Sequence, residues 1–120
     1  MVNELTKDNF KETIDNNEMV IVDFWATWCG PCKTFGPIFD KVAQENTDIC
    51  FAKVNTEQEQ ELAGYFNVRS IPTLIIFREQ VLIYSQPGAL PENSLKEILA
   101  RVKELDMDEV RKQIAEQEES

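Results

Sequence analysis

Apolar side chains fall along this chain in two alternating rhythms. Between residues 19 and 25 they are nearly continuous, Met19-Val20-Ile21-Val22 and then Phe24-Trp25, interrupted only by Asp23. So short a run, rich in β-branched residues, predicts a strand buried on both faces. After it the spacing changes. Phe35, Ile38, Phe39, Val42 and Ala43 recur at i, i+3, i+4, i+7 and i+8, which predicts a helix to about residue 45. Pro37 lies inside that helix, where it removes a backbone hydrogen bond and predicts a kink. Residues 49–55 return to the strand pattern, and 57–66 to the helical one with Leu62, Ala63 and Phe66 inward. Residues 73–77 and 81–84 predict a β-hairpin around Arg78-Glu79-Gln80, a turn without the glycine or asparagine that tight hairpins favour. Pro87-Gly88 breaks the chain before a last long helix from about residue 91, whose stripe is Leu95, Ile98, Leu99, Val102 and Leu105. At the start, Thr6 is placed to cap a short helix carrying Phe10 and Ile14, and Asn16-Asn17 ends it. Glu4-Leu5 is a candidate first strand.

Strand and helix alternate in the first half, which implies parallel strands joined by right-handed crossovers, and the late hairpin adds antiparallel ones. The expected fold class is therefore α/β: a central mixed sheet of four to five strands with helices on both faces. One domain is expected over residues 1–105. Residues 106–120 form an acidic extension, with six acidic and two basic side chains. Asp106 and Glu109 have the spacing of a capping box, but apolar anchors thin to Met107, Val110 and Ile114, so the expectation is a solvated, partly frayed helical tail.

Composition narrows the function. At 120 residues and 42% apolar, the chain is long enough to bury a core without staples. A net charge of −10 would be repelled by phosphates, which argues against nucleic acid and anionic membranes as partners. No apolar run approaches a membrane span, and the first residues lack a secretory pattern, so the cytoplasm is the expected compartment. Three cysteines fit poorly with a disulfide framework. With no histidine, the chain cannot supply a four-ligand Cys/His zinc site, and no metal is expected.

What remains is a redox reading of Trp28-Cys29-Gly30-Pro31-Cys32-Lys33, where the buried strand turns into the helix. Pro31 suits a first helical turn, whose N–H groups have no partner in any case. Those free N–H groups and the helix dipole favour a thiolate at Cys29. Cys50, inside the strand at 49–55, reads as a small buried core residue.

From Val22-Asp23-Phe24-Trp25-Ala26 through Trp28-Cys29-Gly30-Pro31-Cys32-Lys33, the chain resembles the thioredoxin family. Ala52-Lys53-Val54-Asn55, Arg69-Ser70-Ile71-Pro72-Thr73-Leu74 and Gly88-Ala89-Leu90 extend the resemblance over about residues 5–105. The chain departs from the family pattern at Arg78-Glu79-Gln80-Val81, at Pro87 and in the tail after Leu105. The resemblance implies a thioredoxin fold and protein-disulfide reduction by dithiol–disulfide exchange. Cys29, at the mouth of the turn, would be the exposed nucleophile and Cys32 the resolving sulfur. Asp23, desolvated in its strand, would exchange a proton with Cys32, and Lys53 would tune Asp23. Ile71-Pro72 would form a cis-proline loop that presents the Ile71 backbone to an extended substrate. Trp28, Gly30, Pro31, Gly88 and Ala89 would complete a shallow apolar groove.

The uncharged Gly30-Pro31 pair gives the thiolate no extra stabilisation, which predicts a reducing couple. The implied partners are a thioredoxin reductase, delivering electrons from NADPH, and diverse disulfide-containing proteins. The implied state is a monomer with no bound cofactor beyond the Cys29–Cys32 couple. Two other readings stay open: a non-catalytic interaction module using the same groove and the acidic tail, and a disulfide isomerase, which would favour a different dipeptide between the cysteines.

Overall fold

Alternation along each strand decides which side chains meet which helices. The computed structural model describes residues 2–119; Met1 and Ser120, the outer ends of the two expected segments, lie outside the described residues. Five strands form one sheet: β1 (Val2–Glu4), β2 (Met19–Trp25), β3 (Cys50–Asn55), β4 (Thr73–Arg78) and β5 (Val81–Pro87). Their order is β1-β3-β2-β4-β5. The first three run parallel, and β4 and β5 are antiparallel to their neighbours. The mixed sheet is as expected, with β1 at residues 2–4 in place of Glu4-Leu5.

Helices cover both faces. On β2, Met19 and Ile21 point to one side, where they meet α2 (Gly30–Glu45) through Phe35, Phe39 and Val42. Leu95, Leu99 and Val102 of α4 (Glu92–Lys103) complete that core. Val20, Val22 and Phe24 point the other way, against Phe10 and Ile14 of α1 (Phe10–Asn16) and against Leu62 and Phe66 at α3 (Gln60–Tyr65). Phe10, Phe24, Phe66 and Phe77 interlock there as a ring cluster, with centroids 5.2–6.1 Å apart.

Four local expectations need correction. The first helix starts at Phe10, later than a Thr6 cap implies, because Thr6 and Asn9 close a turn ahead of it: the Thr6 amide donates to Asn9 Oδ1 at 2.7 Å. Helix α3 starts at Gln60, since residues 55–59 are taken by a turn in which the Glu59 amide donates to the Asn55 carbonyl. Cys50 is only half-buried at the start of β3, 3.6 Å from Asn3 Nδ2 of the edge strand. The hairpin forms where expected, but β4 runs on through Arg78, so Glu79 and Gln80 alone make the turn, without glycine, at φ 50° and 70°, a left-handed conformation that L side chains seldom adopt.

Arg78, the last residue of β4, does structural work that its expected place in the turn conceals. Its Nη1 donates to the carbonyls of Val102 at 2.8 Å and Leu105 at 2.6 Å, which pins the last turn of α4 and the residues just past it to the end of β4, although the Val102 carbonyl also accepts the Leu105 amide at 3.3 Å. Helix α5 (Met107–Glu119) follows, capped by Asp106 Oδ1 and tied back by Arg111, 2.7 Å from Glu79. The Arg78 side chain is only 14% exposed. Arg78→Ala is therefore expected to cost about 1–3 kcal/mol of stability, seen as a lower denaturant midpoint at unchanged slope.

Candidate active site

The alternation that sends Met19 and Ile21 toward α2 sends Asp23 the same way, and α2 starts just above it. Asp23 is register partner to Lys53 on β3 and to Leu74 on β4. It is 5% exposed, and its Oδ1 has no hydrogen-bond partner. A cleft of about 340 Å³ opens onto it, lined by Trp25, Cys32, Lys33, Asp40 and Lys53 among others. The Trp25 indole Nε1 in the same wall is also buried without a partner.

Burial raises the Asp23 carboxyl from 3.8 to about 7, against a lowering by the Lys53 ammonium and with a further rise from the Asp40 carboxylate. Lys53 Nζ rests 5.4 Å from the centre of the Trp25 ring, so it acts on Asp23 through its field. The two neighbours pull in opposite directions. Lys53→Met is expected to move the Asp23 titration to higher pH and Asp40→Asn to lower pH, as followed by the ¹³C shift of its carboxyl carbon.

The two sulfurs are joined. Cys29 and Cys32 form a disulfide, with Cα atoms 5.3 Å apart. Cys29 is the N-cap of α2: its Sγ accepts the Cys32 amide at 3.2 Å, and Gly30 and Pro31 occupy the first helical positions. Cys29 is not the exposed member of the pair in this form. It is 3% exposed and Cys32 5%, because both sulfurs pack with Ala26 under Trp25 and Ile71. What separates them is direction. Cys32 lines the Asp23 cleft, whereas Cys29 Sγ lies 3.6 Å from the Ile71 carbonyl oxygen.

Around Cys29 the surface is shallow. Trp28 is 71% exposed and lines a depression with Thr56, Val68, Arg69, Ser70 and Ile71. The Ile71–Pro72 bond is cis. Gly88 donates its amide to the Pro72 carbonyl at 2.7 Å, and its φ of 111° favours glycine there. Pro87 lies in register with Thr73, and Ala89 is exposed beside Gly88. At Gly30 an added Cβ would meet nothing within 4 Å, so its bareness leaves room outward.

Three residues of this site escape a reading of the sequence. Asp40 had a signal: Cys32, Gly36 and Asp40 follow one another at i, i+4 and i+8 and line one cleft. Thr27 and Glu57 had none, since their contact joins residues thirty apart. Among the described residues no group of three or more His, Cys, Asp or Glu side chains is placed to hold a metal. No described helix is long and apolar enough to cross a membrane.

Comparison with known proteins agrees with this geometry. The sequence profile of the thioredoxin family matches residues 1–101. A Streptomyces coelicolor protein provisionally named thioredoxin 2 is 56% identical over 115 residues, covering 96% of this chain and 86% of its own length. The thioredoxin of Mycoplasmoides gallisepticum is 43% identical over 93 residues, covering 78% and 93%. Among solved structures, Plasmodium falciparum thioredoxin superposes with a TM-score of 0.78 at 32% identity, covering 83% of this chain and 98% of that one. Malassezia sympodialis thioredoxin gives 0.76 at 31%, covering 84% and 90%.

Proposed function

Because the chain belongs to the thioredoxin family, and is on that ground a protein thiol–disulfide oxidoreductase, we propose that Cys29 is its attacking sulfur and Cys32 its resolving one. The observation that carries this assignment is the capping of α2 by Cys29 Sγ, 3.2 Å from the Cys32 amide. Once the pair is reduced, a thiolate at that position keeps this donor and faces the positive end of a 16-residue helix.

Two exchanges follow. The Cys29 thiolate attacks one sulfur of a substrate disulfide, forms a mixed disulfide and expels the first substrate thiolate. Cys32 then gives up its proton and attacks Cys29 Sγ; the 29–32 bond forms and the second substrate thiolate leaves. Two electrons pass to the substrate. Asp23 is the acceptor for the Cys32 proton: it opens into the same cleft, and with a pKa of about 7 it takes and returns protons near neutrality. Lys53 sets how readily Asp23 ionises.

The groove of Trp28, Gly30, Pro31, Ile71, Pro72, Gly88 and Ala89 receives the substrate chain in extended form, with the Ile71 backbone as its hydrogen-bonding edge. Residues 1–105 are the catalytic unit, and the acidic segment 106–120 is an appendage. The couple works in the reducing direction in the cytoplasm as a monomer. It is recharged by NADPH through a thioredoxin reductase and needs no other bound cofactor. The test is insulin reduction coupled to NADPH oxidation through a thioredoxin reductase: oxidation must require both this chain and insulin. Failure there, while the dithiothreitol-reduced chain still reduces insulin, rejects the electron donor; failure in both rejects the function.

A further inference from the structure

We infer that Glu57 is a positioning residue for protein substrates: through Thr27 it fixes the exposed Trp28 in the orientation that the groove requires. The inference rests on the proposed substrate groove and deepens it.

Trp28 sits on a short link between the end of β2 at Trp25 and the start of α2 at Gly30. An indole 71% exposed on such a link gains little orientation from packing. The link itself is gripped from the turn that follows β3. The Thr56 amide and hydroxyl both donate to the Trp25 carbonyl, at 2.9 and 3.0 Å. The Thr27 amide and hydroxyl both donate to one oxygen of Glu57, at 2.8 and 2.6 Å. Glu57 is held in turn, its amide donating at 2.9 Å to Oδ1 of the buried Asn55. A continuous line of hydrogen bonds thus runs from the interior through Glu57 to Thr27, the residue next to the one that presents the indole. Thr56 and Trp28 border the same depression, so the grip and the platform share one wall.

Two donors on one carboxylate oxygen make a charge-assisted contact, and they hold Glu57 below the usual carboxylate range. Yet Thr27 and Glu57 are both exposed, and exposed ionic contacts add little to global stability. The contact matters for preorganisation: a partner docking on Trp28 need not order the link itself.

The test is single-turnover reduction of insulin by the pre-reduced chain over a range of insulin concentrations. 5,5′-dithiobis(2-nitrobenzoate) serves as a small disulfide that needs no groove. Glu57→Ala is expected to raise the half-saturating insulin concentration about 3- to 10-fold, the equivalent of ordering one side chain. The limiting rate and the small-disulfide rate should not change. Thr27→Val should fall between, and Thr27→Ser, which keeps both donors, should match the native chain. In the Trp28→Ala background Glu57→Ala should add nothing. Equal losses on both disulfides, additivity with Trp28→Ala, or no effect of Glu57→Ala where Trp28→Ala has one would overturn the inference. If Trp28→Ala leaves insulin saturation untouched, the groove assignment falls and takes the inference with it. Native-like thermal melts for Thr27→Ser and Thr27→Val separate all of these from misfolding.

Discussion

The Cys32→Ser chain is expected to accumulate as a mixed disulfide with its protein substrate, while the Cys29→Ser chain traps nothing; both lose turnover completely. The asymmetry comes from the surroundings of the two sulfurs, since their exposures are nearly equal. Cys29 Sγ has an amide donor at 3.2 Å, which would serve a thiolate once the pair is reduced, and it lies 3.6 Å from the Ile71 carbonyl, beside the proposed substrate edge. Cys32 faces away from that edge, into the cleft it shares with Asp23. With Cys32 replaced, the first exchange proceeds and the second has no nucleophile, because a serine hydroxyl does not ionise near neutral pH. With Cys29 replaced, the remaining thiol lacks both the cap position and the groove. Non-reducing electrophoresis after mixing with oxidised insulin reads the adduct directly. Equal trapping by both variants would show that the sulfurs are interchangeable and that the roles rest on nothing in the geometry.

Much of this fold was legible in the sequence because its core elements are long and strongly patterned. An apolar run interrupted only once needs two covered faces, and β2 has them, with α2 and α4 on one side and α1 and α3 on the other. The errors fall where a side chain or turn outcompetes local propensity. Thr6 looks like a helix cap but closes a turn with Asn9. Residues 57–59 have helical spacing but are drawn into the turn after β3. Arg78 was expected in the hairpin turn but is the last residue of β4, which leaves Glu79-Gln80 to turn the chain where the hairpin was expected.

The site divides in the same way. The dithiol, Asp23 and the Ile71-Pro72 segment are conspicuous as residues, and the fold brings them together. The near-equal burial of Cys29 and Cys32 was not foreseeable, since the cover comes partly from Ile71, distant in sequence. The Thr27–Glu57 contact depends on how the ends of β2 and β3 align, which register alone determines. Arg78 is a similar case, an arginine at the end of β4 whose partners lie at and just past the end of α4. Pairwise long-range contacts leave no period in a sequence; faces of helices and strands do.

Asp23→Asn is expected to stabilise the protein above pH 7 by about 2–4 kcal/mol while slowing resolution of the mixed disulfide, so that stability and activity separate at one residue. The sign follows from linkage. In the unfolded chain the carboxyl titrates near 3.8, and in the fold at about 7, raised by burial. Between those values the native state holds a proton that the unfolded state has released, so native stability falls as pH rises. Above about pH 7 the full penalty of an ionised buried carboxylate is present, and a shift of this size corresponds to about 4 kcal/mol at most. Asparagine has no carboxylate to desolvate. The gap in unfolding free energy between variant and native chain should therefore be small at pH 4, widen to pH 7 and stay constant beyond. The rate of resolution should behave in the opposite sense. The native chain needs Asp23 ionised to accept the Cys32 proton, so its rate climbs through pH 7, whereas the variant lacks that step in its profile and is slower at every pH above it. Denaturant titrations at several pH values and mixed-disulfide decay under the same conditions measure both. A stability gap independent of pH would show that Asp23 ionises freely in the fold. An unchanged decay profile would remove it from the proton path and leave its burial without a chemical use.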